Sequence, residues 1–269
     1  MRFQFTNILL RPLLDILFPP RCVYCGRLGS YLCDDCWQLA VPVGDNICVR
    51  CGEPLTQRGL CHRCRTNPPE PIRGIRGVFF YSGPVAQAIQ HLKYQGIKDI
   101  APILAQPLVE YIDQHSLTID GLVPVPLHPQ RLAERGFNQS RLIAQHIAIS
   151  TGIPIHADLI RRVRFTQPQA RLGRSERMQN VSGAFAPDEN ASLHGETILL
   201  IDDVATTGAT LRACAQALKQ IGAGEIWALT VARAHSRIEL DIDMPPADLF
   251  LMHDIGQNAD SIDPAPPFI

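Results

Sequence analysis

The chain has 269 residues, of which 46% are hydrophobic and 19% are charged, and its formal net charge at pH 7 is -1. This length suits one α/β core with a smaller module, and this composition excludes a disordered or fibrous chain. The near-zero net charge excludes a general attraction to nucleic acids or acidic membranes, so such binding would require a local patch.

The first 20 residues, MRFQFTNILLRPLLDILFPP, form an apolar pattern that Arg11, Pro12 and Asp15 interrupt. No small-residue cleavage site follows the pattern, and it is too short to span a bilayer. We therefore predict an amphipathic helix over residues 1–20 and a cytoplasmic protein. Weak contact of this helix with a membrane surface is the alternative.

Four C-x-x-C pairs follow between positions 22 and 64, in an order that repeats: CVYCG then CDDC, and CVRCG then CHRC. A two-residue gap lets both thiolates of a pair bind one tetrahedral zinc ion. Residues 21–66 are therefore predicted to form a double zinc ribbon, and the predicted ligands are Cys22, Cys25, Cys33, Cys36, Cys48, Cys51, Cys61 and Cys64. Four thiolates leave no position for water, which favours structural over catalytic zinc, and the two complete repeats predict two zinc ions.

Other uses of these cysteines are less consistent with the pattern. Cytoplasmic thiols stay reduced, which disfavours a disulfide scaffold, and four consecutive pairs exceed what a thiol-exchange mechanism uses. Two alternatives stay open: a single zinc beside a degraded second site, and interleaving of the pairs between the repeats.

After a Pro-rich joint at 66–71, apolar strands alternate with helical periodicity. Strands are predicted near 75–81, 120–125, 196–201 and 224–232, and helices over 84–94, 98–114, 138–150 and 207–221. The alternation predicts an α/β domain over residues 72–236, with a mostly parallel sheet covered by helices on both faces. Ligands of such sheets bind beyond the carboxyl ends of the strands.

The stretch ILLIDDVATTGAT at 198–210 delivers Asp202 and Asp203 to that edge and then turns into a helix near Thr207. Free amide groups at a helix start suit a phosphate, and the predicted phosphate loop comprises Ala205, Thr206, Thr207, Gly208, Ala209 and Thr210. Two carboxylates beside it suit vicinal ribose hydroxyls, so the loop predicts a ribose 5-phosphate site. Alternatively, the aspartates cap or solvate the loop, or bind a metal alone.

This stretch resembles the signature of the type I phosphoribosyltransferases, which bind phosphoribosyl pyrophosphate (PRPP). The segments HLKYQG at 91–96, VPVPLHPQRLAERGFNQS at 123–140 and RRVRFTQPQARLGRSERMQNVSGAF at 161–185 resemble the ComF family of competence-related proteins. The order of zinc ribbon and transferase domain resembles that family as well. The resemblance implies a type I phosphoribosyltransferase-like fold, Mg²⁺ accompanying PRPP, and a role in uptake or processing of incoming DNA, for natural transformation or for use as a nutrient.

The resemblance also assigns residues. It implies that Arg131 and Arg135 hold the pyrophosphate of PRPP, with Gly136 giving the turn and Asn138 and Gln139 opening the next helix. A closing loop would carry further ligands of the substrate, namely Thr166, Gln169, Arg171, Arg177 and Asn180. A solvated basic hairpin is the alternative for this loop.

Two functions remain open. An active phosphoribosyltransferase of nucleotide metabolism would displace pyrophosphate from C1 of PRPP, but neither a catalytic base nor the acceptor is identifiable. A binding protein would keep the pocket without turnover, and its zinc module would contact single-stranded DNA or a helicase partner through arginines and through Tyr24, Tyr31 and Trp37. These aromatic residues could instead fill the core around zinc. The acidic tail at 237–269 is predicted to be poorly ordered.

Overall fold

A four-stranded parallel sheet forms the centre of the structure, a computed structural model that describes residues 19–67, 71–165 and 183–234. Its strands are β1 (Gly74–Phe80), β2 (Gly121–Pro124), β5 (Ile198–Ala205) and β6 (Ile226–Arg233), in the order β1-β6-β5-β2. Every neighbouring pair in this sheet is parallel. The carboxyl ends of the strands therefore meet at one edge, where a ligand site is expected.

Helices cover both faces of this sheet, which confirms the predicted fold class. The helices of the described residues are α1 (Asp34–Trp37), α2 (His62–Thr66), α3 (Gly83–Tyr94), α4 (Ile100–Gln114), α5 (Pro129–Arg135), α6 (Gln139–Thr151) and α7 (Ala209–Gln220). Side chains alternate along β5: Leu199 and Ile201 pack with α3, α4 and α6, whereas Ile198 and Leu200 pack with α7. A strand buried on both faces reads as one continuous apolar run, as ILLI does.

Two bounds differ from the predicted ones for a physical reason. Strand β5 continues to Ala205 because its last residues keep pairing with β6, where Ala205 lies opposite Arg233. Helix α7 therefore begins at Ala209 rather than near Thr207. A short antiparallel hairpin of β3 (Ile160–Arg162) and β4 (Phe185–Pro187) was not predicted, since neither strand carries an apolar run.

The zinc-ribbon region repeats its backbone geometry as well as its sequence. Gly26 and Gly52 each follow the second cysteine of a pair with φ near +70° (77° and 69°), and each amide donates to the carbonyl of the first cysteine at 2.8 Å. Such left-handed φ values favour glycine. Helices α1 and α2 both begin one residue after the third cysteine of their repeat. Two similar knuckle modules thus lie in tandem.

Both outer strands of the sheet are paired with irregular segments of the same chain. Along β1, Phe80 donates its amide to the Val41 carbonyl at 2.8 Å, and Val43 donates to the Val78 carbonyl at 3.0 Å. Along β2, Leu122 exchanges backbone hydrogen bonds of 2.8 Å with residues 154 and 156. The link between the two ribbons thereby closes the β1 side of the sheet.

All described residues belong to one compact unit. The predicted N-terminal helix up to residue 18, the closing-loop residues Gln169 and Arg177, and the acidic tail lie outside the described residues. Within the described ranges, no helix is both long and apolar enough to cross a lipid bilayer.

Candidate functional site

The eight paired cysteines form two separate groups of four, one from each repeat. Within each group, the sulfur atoms lie within 4.8 Å of one another. The Sγ atoms of Cys25 and Cys33 are 3.7 Å apart, as are those of Cys51 and Cys61. A Zn–S bond of about 2.3 Å in tetrahedral geometry places sulfurs about 3.8 Å apart, whereas a disulfide requires about 2.05 Å. The two pairs of each repeat therefore build a single site together, so the pairs do not interleave between the repeats. Both sites suit structural zinc.

Backbone amides prepare both clusters for a metal. Burial opposes ionisation of Cys48, but backbone hydrogen bonds from Cys51, Cys61 and Arg50 outweigh it and lower the pKa of this thiol to about 6. The same balance lowers the pKa of Cys22 to about 6. Because zinc binds the thiolate, one ligand of each site is readily deprotonated at neutral pH.

The three aromatic residues of the first ribbon differ in whether they pack against the sheet or face solvent. Trp37 packs edge-on against Phe79 of β1 with ring centroids 5.2 Å apart, and Tyr31 packs against the core of the sheet. Tyr24 is exposed. Arg50 donates to the carbonyl of Cys64 at 2.7 Å. Trp37 and Tyr31 therefore join the ribbon to the sheet.

A cavity of about 360 Å³ opens at the carboxyl ends of the strands. It brings together residues from six separate parts of the chain. Among them are nine of the residues predicted from the sequence, namely Asp202, Asp203, Ala205, Thr206, Gly208, Ala209, Thr210, Arg131 and Arg135. Thus the two acids, most of the predicted phosphate loop and both arginines line one cavity.

Strand β5 presents its two aspartates to this cavity, and the first turn of α6 holds them. The Ser140 hydroxyl donates to Asp202 Oδ1 at 2.8 Å, and the Gln139 side-chain amide donates to Asp203 Oδ1 at 3.4 Å. Asn138 caps this helix, because its Oδ1 accepts from the amides of Ser140 and Arg141. The segment FNQS thus fixes both carboxylates.

Lys93, near the end of α3, forms an ion pair with Asp203. The lysine side chain is 20% exposed and the aspartate side chain only 4%. Burial would raise the pKa of Asp203, but the charge of Lys93 and its hydrogen bond outweigh burial and lower it. Burial would likewise lower the pKa of Lys93, and Asp203 raises it instead. Asp203 is therefore held ionised.

Asp202 has the opposite electrostatic environment. Burial, followed by the neighbouring charge of Asp203, raises its pKa from 3.8 to about 7. Two adjacent carboxylates in one partly dry site cannot both ionise freely. Asp203 therefore stays ionised at neutral pH, whereas Asp202 gains or loses its charge near pH 7.

The loop after β5 turns sharply at Gly208, whose φ of 75° places it in the left-handed region. This φ strains any other residue, and a Cβ there would also lie 2.6 Å from Ile75 Cδ1 and 2.8 Å from Arg212 Nη1, so both side chains would have to move. Thr207 is buried beneath the loop: its hydroxyl accepts from the Ala209 amide at 3.4 Å, and its carbonyl accepts from Arg212 at 2.5 Å. Thr206 and Thr210 instead line the cavity. Thr207 thus supports the loop from below.

Helix α5 supplies the basic side of the cavity. Arg131 and Arg135 lie four residues apart and therefore on one face of the helix. Arg131 lies over the ring of Phe165 at 5.6 Å and Arg135 over the ring of Tyr94 at 5.7 Å. Gly136 ends the helix in the left-handed conformation, with φ of 78°. Two cations thereby line the same cavity as the two acids, and each makes a cation–π contact.

Three residues of the site were not predicted as site residues: Lys93 and Phe165, which line the cavity, and Ser140, which donates to Asp202. Lys93 lies in the segment HLKYQG, which contributed to the family resemblance but had no assigned role. Its position near the end of a helix that follows β1 was the only available signal. The partner of a buried carboxylate depends on which helix packs against its strand, and the local sequence does not determine that packing.

Comparison with known proteins gives matching results for both modules. A family model described as double zinc ribbon domain matches residues 13–65, and one described as phosphoribosyl transferase domain matches residues 139–257. Among solved structures, adenine phosphoribosyltransferase from Leishmania tarentolae has a TM-score of 0.35 and 15% identity, covering 62% of this chain and 66% of that chain. That similarity is too low to indicate function.

Two curated relatives resemble the chain over most of its length. The DNA utilization protein YhgH of Salmonella typhimurium is 33% identical over 192 residues, which cover 68% of this chain and 83% of the relative. The competence protein ComFC of Bacillus subtilis is 29% identical over 225 residues, which cover 80% of this chain and 89% of the relative. With its double zinc ribbon and its phosphoribosyltransferase domain, the chain belongs to the ComF family, which includes these two proteins.

Proposed function

We propose that this protein binds PRPP in the cavity at the carboxyl ends of the strands and acts in the uptake or processing of incoming DNA. The single observation that carries the proposal is the convergence of Asp202, Asp203, the loop at 205–210, Arg131 and Arg135 on that one cavity. The names of the relatives, DNA utilization protein and competence protein, support the biological part.

Each part of PRPP has a chemically suitable partner. The vicinal ribose hydroxyls suit the carboxylate of Asp202, and the 5-phosphate suits the amides and hydroxyls around Gly208, where a helix begins. The pyrophosphate, with an accompanying Mg²⁺ ion, suits the face of α5 that carries Arg131 and Arg135. The reduced four-cysteine sites support a cytoplasmic location, where thiols stay reduced.

A catalytic role is a second candidate, which the mouth of the cavity favours. The ring of Phe165 is 44% exposed there and meets His128 edge-on with centroids 5.2 Å apart. An aromatic acceptor such as a nucleobase could stack on such a ring. Release of pyrophosphate from PRPP on addition of one base, and not of others, would favour transfer over simple binding.

Asp202→Asn is expected to weaken PRPP binding by about 100-fold, because a charged acceptor for two ribose hydroxyls is lost. Asp202 is preferred to Asp203 for this test, since Asp203 also holds Lys93. Titration calorimetry with Mg²⁺ and PRPP measures the effect, and unchanged zinc content checks the fold.

The matched control is Asp120→Asn. Asp120 accepts the amide of Thr197 at 2.8 Å just before β2, at the opposite edge of the sheet. PRPP affinity should be unchanged in this variant. Equal affinity of the Asp202→Asn variant and the unaltered protein would refute the ribose assignment.

Binding of ribose 5-phosphate is expected to depend on pH through Asp202. With its pKa at about 7, this group is mostly ionised at pH 8 and mostly protonated at pH 6. A protonated carboxyl loses acceptor capacity, so affinity should fall about tenfold between pH 8 and pH 6. Calorimetry at several pH values measures the decrease.

The control ligand for this pH series is 2-deoxyribose 5-phosphate, which carries the same titrating phosphate but one hydroxyl fewer. Its affinity should fall less steeply over the same pH range. If both sugars showed the same pH dependence, the titrating group would be the phosphate rather than Asp202.

A further inference from the structure

One arginine connects the second zinc site to the cavity. Arg233, the last residue of β6, is only 1% exposed. Its Nη1 donates to the carbonyl of Cys51 at 2.7 Å, and its Nη2 pairs with Glu53 Oε2 at 2.6 Å. Cys51 belongs to the second four-cysteine site. The guanidinium group is therefore held by the knuckle that binds the metal.

The backbone of the same residue is bonded to residues that line the cavity. The carbonyl of Arg233 accepts the amide of Tyr81 at 2.8 Å, and the next residue, Ala234, donates its amide to Ala205 at 2.9 Å. Tyr81, Ala205 and Ala234 all line the cavity. The side chain of Arg233 thus bonds to the zinc knuckle, and its main chain bonds to residues that line the ligand cavity.

Close packing leaves this connection little freedom. A Cβ on Gly52, between the two contacts of Arg233, would lie 2.3 Å from the carbonyl oxygen of Ile75, so the knuckle backbone rests directly on β1. A Cβ on Gly77 would lie 2.8 Å from Arg233 Cβ. A buried guanidinium that lost Cys51 and Glu53 would have to move toward water, because an unpaired buried charge is costly.

We infer that Arg233 is a positioning residue through which the second zinc site controls the ligand cavity. Loss of zinc from this site loosens the knuckle, releases the guanidinium and shifts the end of β6 together with Tyr81 and Ala234. Because the coupling free energy between two binding sites is reciprocal, a ligand in the cavity also raises the affinity of the second site for zinc. Only this last consequence rests on the proposed function.

The chain offers a matched control in Arg76. Its Nη2 donates to the carbonyl of Val49 at 2.9 Å, so it also ties the second ribbon to the sheet. Arg76 lies in the first half of β1, away from the carboxyl ends of the strands. Arg233→Met and Arg76→Met therefore each remove one arginine contact to the same ribbon, and only the former touches the wall of the cavity.

The first arm of the experiment needs no ligand. Hydrogen exchange of the Tyr81 and Ala234 amides is followed by mass spectrometry in the full chain, before and after a chelator removes zinc. In the unaltered protein and in Arg76→Met, zinc removal should speed exchange about fivefold or more. In Arg233→Met, exchange should already be fast with zinc bound and change little. The inference would be overturned if zinc removal left the exchange rates of the unaltered protein unchanged. Equal exchange rates in Arg233→Met and Arg76→Met would overturn it as well.

The second arm tests reciprocity with Mg²⁺ and PRPP. Under a zinc-selective chelator that leaves Mg²⁺ in solution, cysteine alkylation is read separately on peptides with the first cluster (residues 22–36) and the second cluster (residues 48–64). PRPP should slow alkylation of the second cluster in the unaltered protein and in Arg76→Met, but not in Arg233→Met. Absence of PRPP binding by calorimetry would remove the proposed function while the exchange arm still decides the inference. PRPP that binds without slowing alkylation would refute the coupling itself.

Discussion

Asp203→Asn is expected to lower the free energy of unfolding by about 3 kcal/mol, because it leaves the ammonium group of Lys93 largely buried without its partner. The lysine side chain is 20% exposed, which places the cost at the lower end for a broken buried pair. Urea unfolding of the zinc-loaded protein at pH 8 measures the change. Adding Lys93→Met should recover most of the loss, since no buried ammonium group then lacks Asp203. An equal cost in both backgrounds would show that the ion pair is not the cause.

The neighbouring residue, Asp202, provides a control, because its replacement should change the free energy of unfolding in the opposite direction. Asp202 has a folded pKa of about 7, above its ordinary 3.8, so its contribution to stability is full below 3.8 and is lost as the pH rises through 7. At pH 8 the protein therefore carries a destabilising ionised Asp202. Asp202→Asn should raise stability at pH 8, by at most roughly 4 kcal/mol, and this gain should shrink as the pH falls toward 3.8. A loss of stability at pH 8 would contradict the electrostatic description of the pair.

Removal of either zinc ion is expected to have the largest effect on stability. A structural zinc site in a small module contributes roughly 10 to 16 kcal/mol of apparent binding free energy. This exceeds what the small hydrophobic core of a single ribbon supplies. Cys64→Ser should reduce bound zinc from two ions per chain to one and unfold the second ribbon. Zinc content by mass spectrometry and ribbon order by hydrogen exchange measure the two consequences.

The control for this prediction is Cys214→Ala. Cys214 is fully buried between α7 and the sheet, outside both clusters, and burial raises the pKa of its thiol. This variant should keep two zinc ions. One zinc in the unaltered protein, or unchanged zinc content in Cys64→Ser, would contradict two complete four-thiolate sites.

Features that are contiguous in the sequence were predictable, since the chain itself sets their geometry. The apolar run ILLI predicted a strand buried on both faces, and the acids that follow it reach the cavity. The cysteine spacing predicted two metal clusters, which the structure forms. In these cases local spacing and position relative to a strand end determine where a side chain lies.

Features that depend on how distant segments meet were not predictable. Nothing in the sequence around Lys93 indicates that it faces Asp203, because the pairing requires α3 to lie against the same face of β5. The role of Thr207 depended on the start of α7, which the pairing of β5 with β6 delays to Ala209. Arg233 likewise has significance only because the second ribbon folds back onto the end of β6.

The pairing of both outer strands with the chain's own segments restricts how other macromolecules can join this sheet. Val41 and Val43 occupy β1, and residues 154 and 156 occupy β2, so a foreign peptide that adds a strand would first have to displace one of them. Strand addition at the edges of this four-stranded sheet is therefore disfavoured as a way to recruit a partner. Self-association into extended sheets is disfavoured for the same reason.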